Sequence, residues 1–409
     1  MKIIDVHYDG WGQSWQLGRV AIDGQMSSFE YSVEAIERGV ELAPFRTQLS
    51  RVARTDGPDH MGRLPGLISD SMPDGWGRLL IERLYRQQGQ SKPDALDILA
   101  FVGDQAIGAL TFKPSAPKSG DTPITSLTEL AEQSILIHEG EADEVLPVVA
   151  NAGGYPHGAR PKALITKMAN QSITTDLKAE GEPWLVKFAN PSDGPDAPRL
   201  ETLYAQWAGM AGINMMPCQC IELENDTAAF ATLRFDREDG KRVPVFTAAG
   251  LIEANFRLPG SLSYLDLLRL TISLTRNESE LAQMFARCVF NVVFSNMDDH
   301  PKNFSFTMNR DGSWNCAPAY DLTLSNGPGG EHSLDVLGKG SEISRADLLM
   351  LANSAALSGK CARAIIDQVA NVASEVLGKA GTLGEMGIHR HRLRDWKRLV
   401  SASLNRMRG

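Results

Sequence analysis

Residues 294–306 read FSNMDDHPKNFSF, and residues 315–325 read NCAPAYDLTLS. In the first stretch Asp298 and Asn303 are separated by four residues. A short loop with that spacing can turn one carboxylate toward an attacking hydroxyl and one amide oxygen toward a metal ion, the two flanking a phosphoryl group. In the second, Asp321 follows an apolar, strand-like segment eighteen residues beyond Asn303, where a second metal-binding carboxylate completes the arrangement. Magnesium takes oxygen ligands and fills its octahedron with phosphate oxygens and water, so Asn303 and Asp321 suffice as protein ligands. Taken singly, each residue also suits a plain turn, because Asp, Asn and His favour loops.

Upstream, NAGGYPHGARPKALITK (residues 151–167) is a glycine-rich loop running into a strand. Ala159 follows Gly158 where a Walker A motif has lysine. Gly153, Gly154 and Gly158 would still let backbone N–H groups approach phosphate oxygens, and Arg160 and Lys162 add positive charge. A tight hairpin with exposed basic residues is the competing reading. In EPWLVKFAN (182–190), Lys187 lies in an apolar strand, where a lysine is costly to bury without an anion. Glu201, early in the helix expected from RLETLYAQWAGMAGI (199–213), is the natural carboxylate to hold it. ATLRFDRED (231–239) follows a strand, and its backbone suits either an adenine edge or a solvated turn of Arg234, Asp236 and Arg237. Glycine-rich loop, strand lysine, helix glutamate, hinge, Asp-x-x-x-x-Asn and second Asp come in the order of the protein-kinase fold.

The chain has 409 residues, enough for two or three domains with hydrophobic cores. A net charge of −9 argues against a wholesale grip on nucleic acid, so an anionic ligand must be held locally. The cysteines Cys218, Cys220, Cys288, Cys316 and Cys361 include no C-x-x-C pair, which speaks against a zinc ribbon or disulfide framework and for a reducing cytoplasm. Asp5, His7 and Asp9 interrupt any signal peptide. The apolar run from Phe285 to Met297 is broken by Arg287 and Asn291 and is too short to span a bilayer. A cytoplasmic protein with no membrane association is expected.

The first thirty residues alternate with period two between turn glycines and predict an antiparallel meander. SDSMPDGWGRLLIERLYRQQG (69–89) predicts a helix started by a Ser71–Asp74 capping box, KPDALDILAFVGD (92–104) a second helix, and GALTF a closing strand. The Pro- and Ser-rich segment 113–123 is the candidate linker. Helix (capped by Ser126 and Glu129), then strands PKALITKM, EPWLVKFA, PCQCIELE and AAFATLRF, then mostly helix from Tyr264 complete the outline. The expected fold class is α+β, a protein-kinase-like two-lobed fold. Its expected domains are a small N-terminal α+β subdomain (1–115), a kinase N-lobe with glycine-rich loop and strand lysine (116–240), and a mainly helical C-lobe with the catalytic loop (241–409). The basic segment 389–409 places Leu393, Trp396, Val400, Leu404 and Met407 on one helical face. It reads as a packed helix with a solvated basic face, or as a contact for DNA or an acidic partner.

These windows resemble the HipA-like serine/threonine kinases, toxins of bacterial HipA–HipB modules. The resemblance rests on MPDGWGRLL (72–80), GARPKALI (158–165), WLVKF (184–188), RFDR (234–237), MDDHPKNFSF (297–306) and PAYDL (318–322). It implies ATP and Mg2+ as cofactors, Asp298 as catalytic base, Asn303 and Asp321 as metal ligands, and Lys187 on the ATP phosphates. Hinge contacts fall on Leu233 and Phe235 through main chain, with Asp236 beside them. It further implies a HipB-like helix-turn-helix antitoxin as partner, DNA bound mainly through that antitoxin, and a protein substrate such as an aminoacyl-tRNA synthetase. Tyr155 stands where family members often carry an autophosphorylated serine, and Arg160-Pro161 replaces the more familiar Gln-Glu. His300 is read as a loop-stabilising hydrogen-bonding residue, since Asp298 already supplies the base. The alternatives are a small-molecule kinase of the aminoglycoside-phosphotransferase type and a pseudokinase acting as a binding module.

Overall fold

Period-two alternation in the first thirty residues becomes β1 (Lys2–Tyr8), β2 (Trp15–Asp23) and β3 (Met26–Tyr31), an antiparallel meander. With β4 (Arg54–Thr55) and β5 (Leu110–Lys113) they form a sheet in the order β4-β3-β2-β1-β5. The alternate side chains of Ile4, Val6, Leu17, Val20 and Phe29 are buried on one of its faces. The helix Ala95–Val102 starts at an Asp94–Asp97 capping box and packs on β1 and β5. This computed structural model describes residues 1–24, 26–116, 122–140, 147–190, 193–224 and 226–408; residues 117–121 of the candidate linker lie outside them.

The four strands expected after residue 160 also form. They are β6 (Lys162–Lys167), β8 (Glu182–Phe188), β9 (Cys218–Glu222) and β10 (Ala228–Leu233), and the short β7 (Ile173–Thr174) joins them. Their order is β7-β6-β8-β10-β9, antiparallel throughout. The helix Leu127–Glu139 begins where Ser126 accepts from the Glu129 N–H.

Two local expectations are corrected. The helix Gly75–Gln87 has Asp74 at its N-cap, but Asp74 makes no capping bond, and its carboxylate accepts from the Gly158 N–H instead. Asn151–Gly153, read as loop, are the last turn of a helix over Pro147–Gly153.

Contacts divide the chain into two units: Met1–Pro198 with Pro217–Glu253 and Met308–Gly312, and Arg199–Met216 with Ala254–Thr307 and Ser313–Gly409. Both sheets described above belong to the first. The second is mainly helical and is built around Glu278–Phe294, in which every residue from Met284 to Phe294 is buried. That helix packs on the helices Tyr264–Thr275, Gly359–Gly378 and Arg390–Met407. Among the described residues no helix is long and apolar enough to cross a membrane. In the C-terminal helix Trp396, Val400, Leu404 and Met407 are buried, and Trp396 lies 5.2 Å from Trp207 between ring centroids.

Candidate functional site

In the first unit the β6–β8 register sets Lys162 directly opposite Lys187, and the β8–β10 register sets Phe230 opposite Lys187. Directly opposed residues on antiparallel strands share a face, so the sheet carries a row Lys162–Lys187–Phe230. The two lysines are 4% and 8% exposed, and Lys187 Nζ lies 5.7 Å from the Phe230 ring centroid. Lysines set directly opposite one another are unfavourable, and burial costs each of them hydration unless an anion meets it. The arrangement therefore suits a face that receives negative charge, and as a donor set it fits a polyphosphate. A cleft of about 410 Å³ opens on the opposite face of this sheet, against Ile165, Trp184, Gln219 and Ala231.

The glycine-rich loop departs from expectation. Gly153 and Gly154 are buried. A Cβ on Gly153 would stand 2.7 Å from Trp76 Nε1 and the Lys162 carbonyl, and one on Gly154 2.8 Å from the Phe101 ring. Gly154 donates its N–H to Ala150 at 2.8 Å, and Gly158 donates to Asp74. Close packing explains Gly153 and Gly154, and the amides of Gly154 and Gly158 are already engaged within the protein. The positive charge of this region is carried by Lys162, whose Nζ donates to the His157 carbonyl at 2.5 Å. Arg160 pairs with Asp193 at 2.7 Å.

The hinge reading is also corrected in part. Asp236 is 3% exposed. Its carboxylate takes two bonds from Arg234 (both 2.8 Å), one from Arg237 (2.6 Å) and one from the Gly108 N–H (3.0 Å). Burial would raise this carboxyl, but the two guanidinium groups hold it well below the usual carboxylate range. Asp236 is a structural hub tying the segment to the loop before β5, not a cofactor contact or part of a solvated turn. The Leu233 N–H donates to Pro217 and the Arg234 N–H to Pro183, so neither amide is open to an adenine edge. Phe235 is half-buried. Glu201 is buried in the helix Ala197–Met210, in the part that belongs to the second unit.

In the second unit, the loop after the buried helix Glu278–Phe294 holds Asp298 with its side chain 53% exposed. Asn303 donates its N–H to the His300 carbonyl at 2.9 Å and its Nδ2 to the Asp298 carbonyl at 2.7 Å. With the amide nitrogen held inside the loop, Oδ1 is the Asn303 atom suited to a cation. Tyr320 Oη donates to the Lys302 carbonyl at 2.7 Å and lies 2.5 Å from Ser305 Oγ. Ser325 exchanges backbone bonds with Ser295 and Met297. These ties bring the Asp321 segment beside the Asp298–Asn303 loop, with Asp321 in the left-handed region at φ 57°. Among the described residues no group of three or more His, Cys, Asp and Glu side chains is arranged to hold a metal. An amide and one carboxylate completed by phosphate oxygens remain a fitting set for magnesium.

Sequence reasoning missed the residue that holds the loop. Asp299 is 1% exposed and accepts from Tyr264 Oη (2.5 Å), His332 Nδ1 (2.7 Å) and the Ser333 N–H (2.7 Å). Asn291 Nδ2 donates to Tyr264 Oη, and Asn296 Nδ2 to Asn291 Oδ1. The role given to His300 belongs to Asp299: His300 Nε2 stands 3.9 Å from Asp298 Oδ1, beyond hydrogen-bond reach, and its Nδ1 is buried without a partner. The doubled acid in DDH was the available signal.

The family model of the HipA N-terminal domain matches residues 8–113, and that of the HipA-like C-terminal domain matches residues 155–377. The chain belongs to the HipA family. The C-terminal match opens at Tyr155 and takes in Lys162, Lys187, Asp298, Asn303 and Asp321; the N-terminal match takes in the DGWG turn at residues 74–77. Among solved structures the chain is similar to HipA of Shewanella oneidensis MR-1, solved with HipB and its operator DNA. The TM-score is 0.70 at 17% identity, over 99% of this chain and 97% of that one. It is also similar to the Helicobacter pylori proinflammatory kinase CtkA, with TM-score 0.38 and 11% identity, over 56% of this chain and 89% of that one. No curated protein matches. The α+β, kinase-like two-lobed fold read from the motif order is thus the HipA fold.

Proposed function

We propose that this HipA-family chain is a magnesium- and ATP-dependent protein kinase that phosphorylates a serine or threonine and serves as the toxin of a cytoplasmic toxin–antitoxin pair. The observation that carries the reading is the loop of the second unit. It presents an exposed Asp298 carboxylate and fixes the Asn303 amide through the same residue's carbonyl. Mg2+·ATP supplies the γ-phosphoryl group. Lys162 and Lys187 bind its phosphates, and Asn303 and Asp321 hold the metal. Asp298 orients the acceptor hydroxyl and takes its proton late, since phosphoryl transfer asks mainly for positioning and electrostatic stabilisation. Asp299 keeps the loop's backbone in place from below.

A HipB-like antitoxin, through which DNA is bound, is the partner this reading includes. It is supported by the whole-chain likeness to a HipA solved with HipB and operator DNA. The protein acceptor is a translation-related protein such as an aminoacyl-tRNA synthetase.

The test is transfer of label from γ-labelled Mg2+·ATP to soluble bacterial proteins by the purified chain, with phospho-amino-acid analysis of the products. Label on serine or threonine, falling about 100-fold or more in Asp298→Asn, is expected. Label found only on sugars or aminoglycosides makes the chain a small-molecule kinase. No transfer, with Asp298→Asn as growth-inhibitory as wild type, makes it a pseudokinase.

A further inference from the structure

The turn Asp74-Gly75-Trp76-Gly77 takes no part in the chemistry above, yet all four residues touch the glycine-rich loop. The Trp76 N–H donates to the Gly158 carbonyl at 3.0 Å, and Trp76 Nε1 donates to the Lys162 carbonyl at 2.9 Å. Gly75, at φ 41°, lies so close that a Cβ would stand 2.6 Å from Ala159 Cα. A Cβ on Gly77 would stand 2.7 Å from Pro73 and 3.1 Å from the Gly154 carbonyl. Asp74, 8% exposed, accepts from the Gly158 N–H.

One peptide group links this turn to the lysine row. The N–H of Gly158 and the carbonyl of His157 belong to the same planar unit, and in a trans peptide they point in opposite directions. The N–H goes to the Asp74 carboxylate and the carbonyl receives Lys162 Nζ. An anion and a cation therefore grip one peptide from its two ends, each strengthening the other's bond by polarising the amide. Gly158 is required there: its φ is 98°, and a Cβ would stand 2.2 Å from Lys162 Nζ. Lys162 is thus fixed at its main chain by the Trp76 indole and at its ammonium by the peptide that Asp74 orients.

We propose that Asp74 and Trp76 are positioning residues for the nucleotide, Asp74 through the 157–158 peptide and Trp76 through the Gly158 and Lys162 carbonyls, together setting the Lys162 ammonium where the phosphates are received. This rests on the reading of the lysine row as a phosphate site. It makes the N-terminal HipA domain an integral part of the nucleotide site rather than an appendage to the kinase.

The experiment measures Mg2+·ATP affinity with a fluorescent nucleotide, KM and kcat where transfer is seen, and amide exchange over residues 154–162. The proteins are the full-length wild type, Asp74→Ala, Asp74→Asn and Trp76→Phe. Loss of a hydrogen bond to a charged acceptor predicts about tenfold weaker ATP binding and higher KM in Asp74→Ala. Faster exchange at the loop, kcat within about twofold of wild type, and substantial recovery in Asp74→Asn are expected with it. Trp76→Phe weakens binding about threefold.

Unchanged affinity, with or without faster exchange, overturns the proposal. So does tighter binding in Asp74→Ala, the result expected if the carboxylate competed with phosphate for Gly158. If Asp74→Ala does not fold, wild-type affinity in both Asp74→Asn and Trp76→Phe, with wild-type exchange, overturns it. A wild type that binds ATP but transfers nothing sinks the kinase reading alone, because the affinity ratios still decide this one. A wild type that binds no nucleotide sinks both.

Discussion

Lys162 and Lys187 stand directly opposite each other on neighbouring antiparallel strands, both almost fully buried. In the proposed mechanism this face receives the phosphates of the nucleotide. Mg2+·ATP at about 100 times its Kd should stabilise the wild type by about 2.7 kcal/mol, a rise of about 3 °C in Tm. Lys187→Met should show no such rise in the same thermal-shift titration. An equal shift in both proteins would remove the lysine row from the site.

In the proposed mechanism Asn303 meets the metal rather than the nucleotide base. Asn303→Ala should bind ATP within about threefold of wild type, yet need about ten times more Mg2+ for half-maximal transfer. A magnesium titration at saturating ATP checks this. An unchanged magnesium requirement would take Asn303 out of the ligand set.

Asp299 is buried with three donors pointed at it. Asp299→Ala strands those donors in the interior and should cost about 3 kcal/mol or more in urea unfolding. Tyr264→Phe, which removes one donor, should cost about 1–2 kcal/mol. If Asp299→Ala unfolds like wild type, Asp299 does not anchor the loop.

Asp236 ties Arg234, Arg237 and the Gly108 amide into one buried cluster. Asp236→Asn should destabilise the protein by about 3–5 kcal/mol at neutral pH, because two buried guanidinium groups lose their counter-charge. The folded carboxyl titrates below its ordinary value. Its stabilisation is therefore complete above about pH 4 and lost as pH falls through the folded value. The gap between wild type and Asp236→Asn should accordingly narrow in acid; unfolding curves over a pH series measure it.

The cysteines should divide by burial. Burial pushes the Cys316 thiol up to about 12 and Cys288 well above its ordinary value, so neither offers thiolate at neutral pH. Cys218, Cys220 and Cys361 are partly exposed. A thiol reagent at pH 7.5 should modify those three in the native protein and reach Cys288 and Cys316 only after unfolding, as peptide mass mapping would show.

Local patterns made much of this legible in advance. Alternation, cap residues and helical spacing are short-range signals, and they located the main strands of both sheets, the Ser126 cap and the amphipathic C-terminal helix. The spacing of Asp298 and Asn303 was readable because one loop carries both residues. Ser71 and Asp74 were misread as a capping box because that pair at three-residue spacing ordinarily starts a helix, whereas the helix begins at Gly75 and the Asp74 carboxylate bonds a residue 84 positions away. Asp236 read as a hinge residue beside the cofactor or as part of a solvated turn for the same reason, its Gly108 partner being 128 residues distant.

The sequence by itself determined the family and the order of the elements and put forward the residues proposed for phosphoryl transfer, since each of these is written in neighbouring positions. Tertiary structure alone decided what holds those residues in place. It set Lys162 against Lys187, anchored the Asp298–Asn303 loop through buried Asp299, and joined Asp74 to Lys162 through one peptide. Strand register and buried hydrogen bonds pair residues across tens to more than a hundred positions, and such pairings are chosen by packing and by the cost of an unsatisfied buried group.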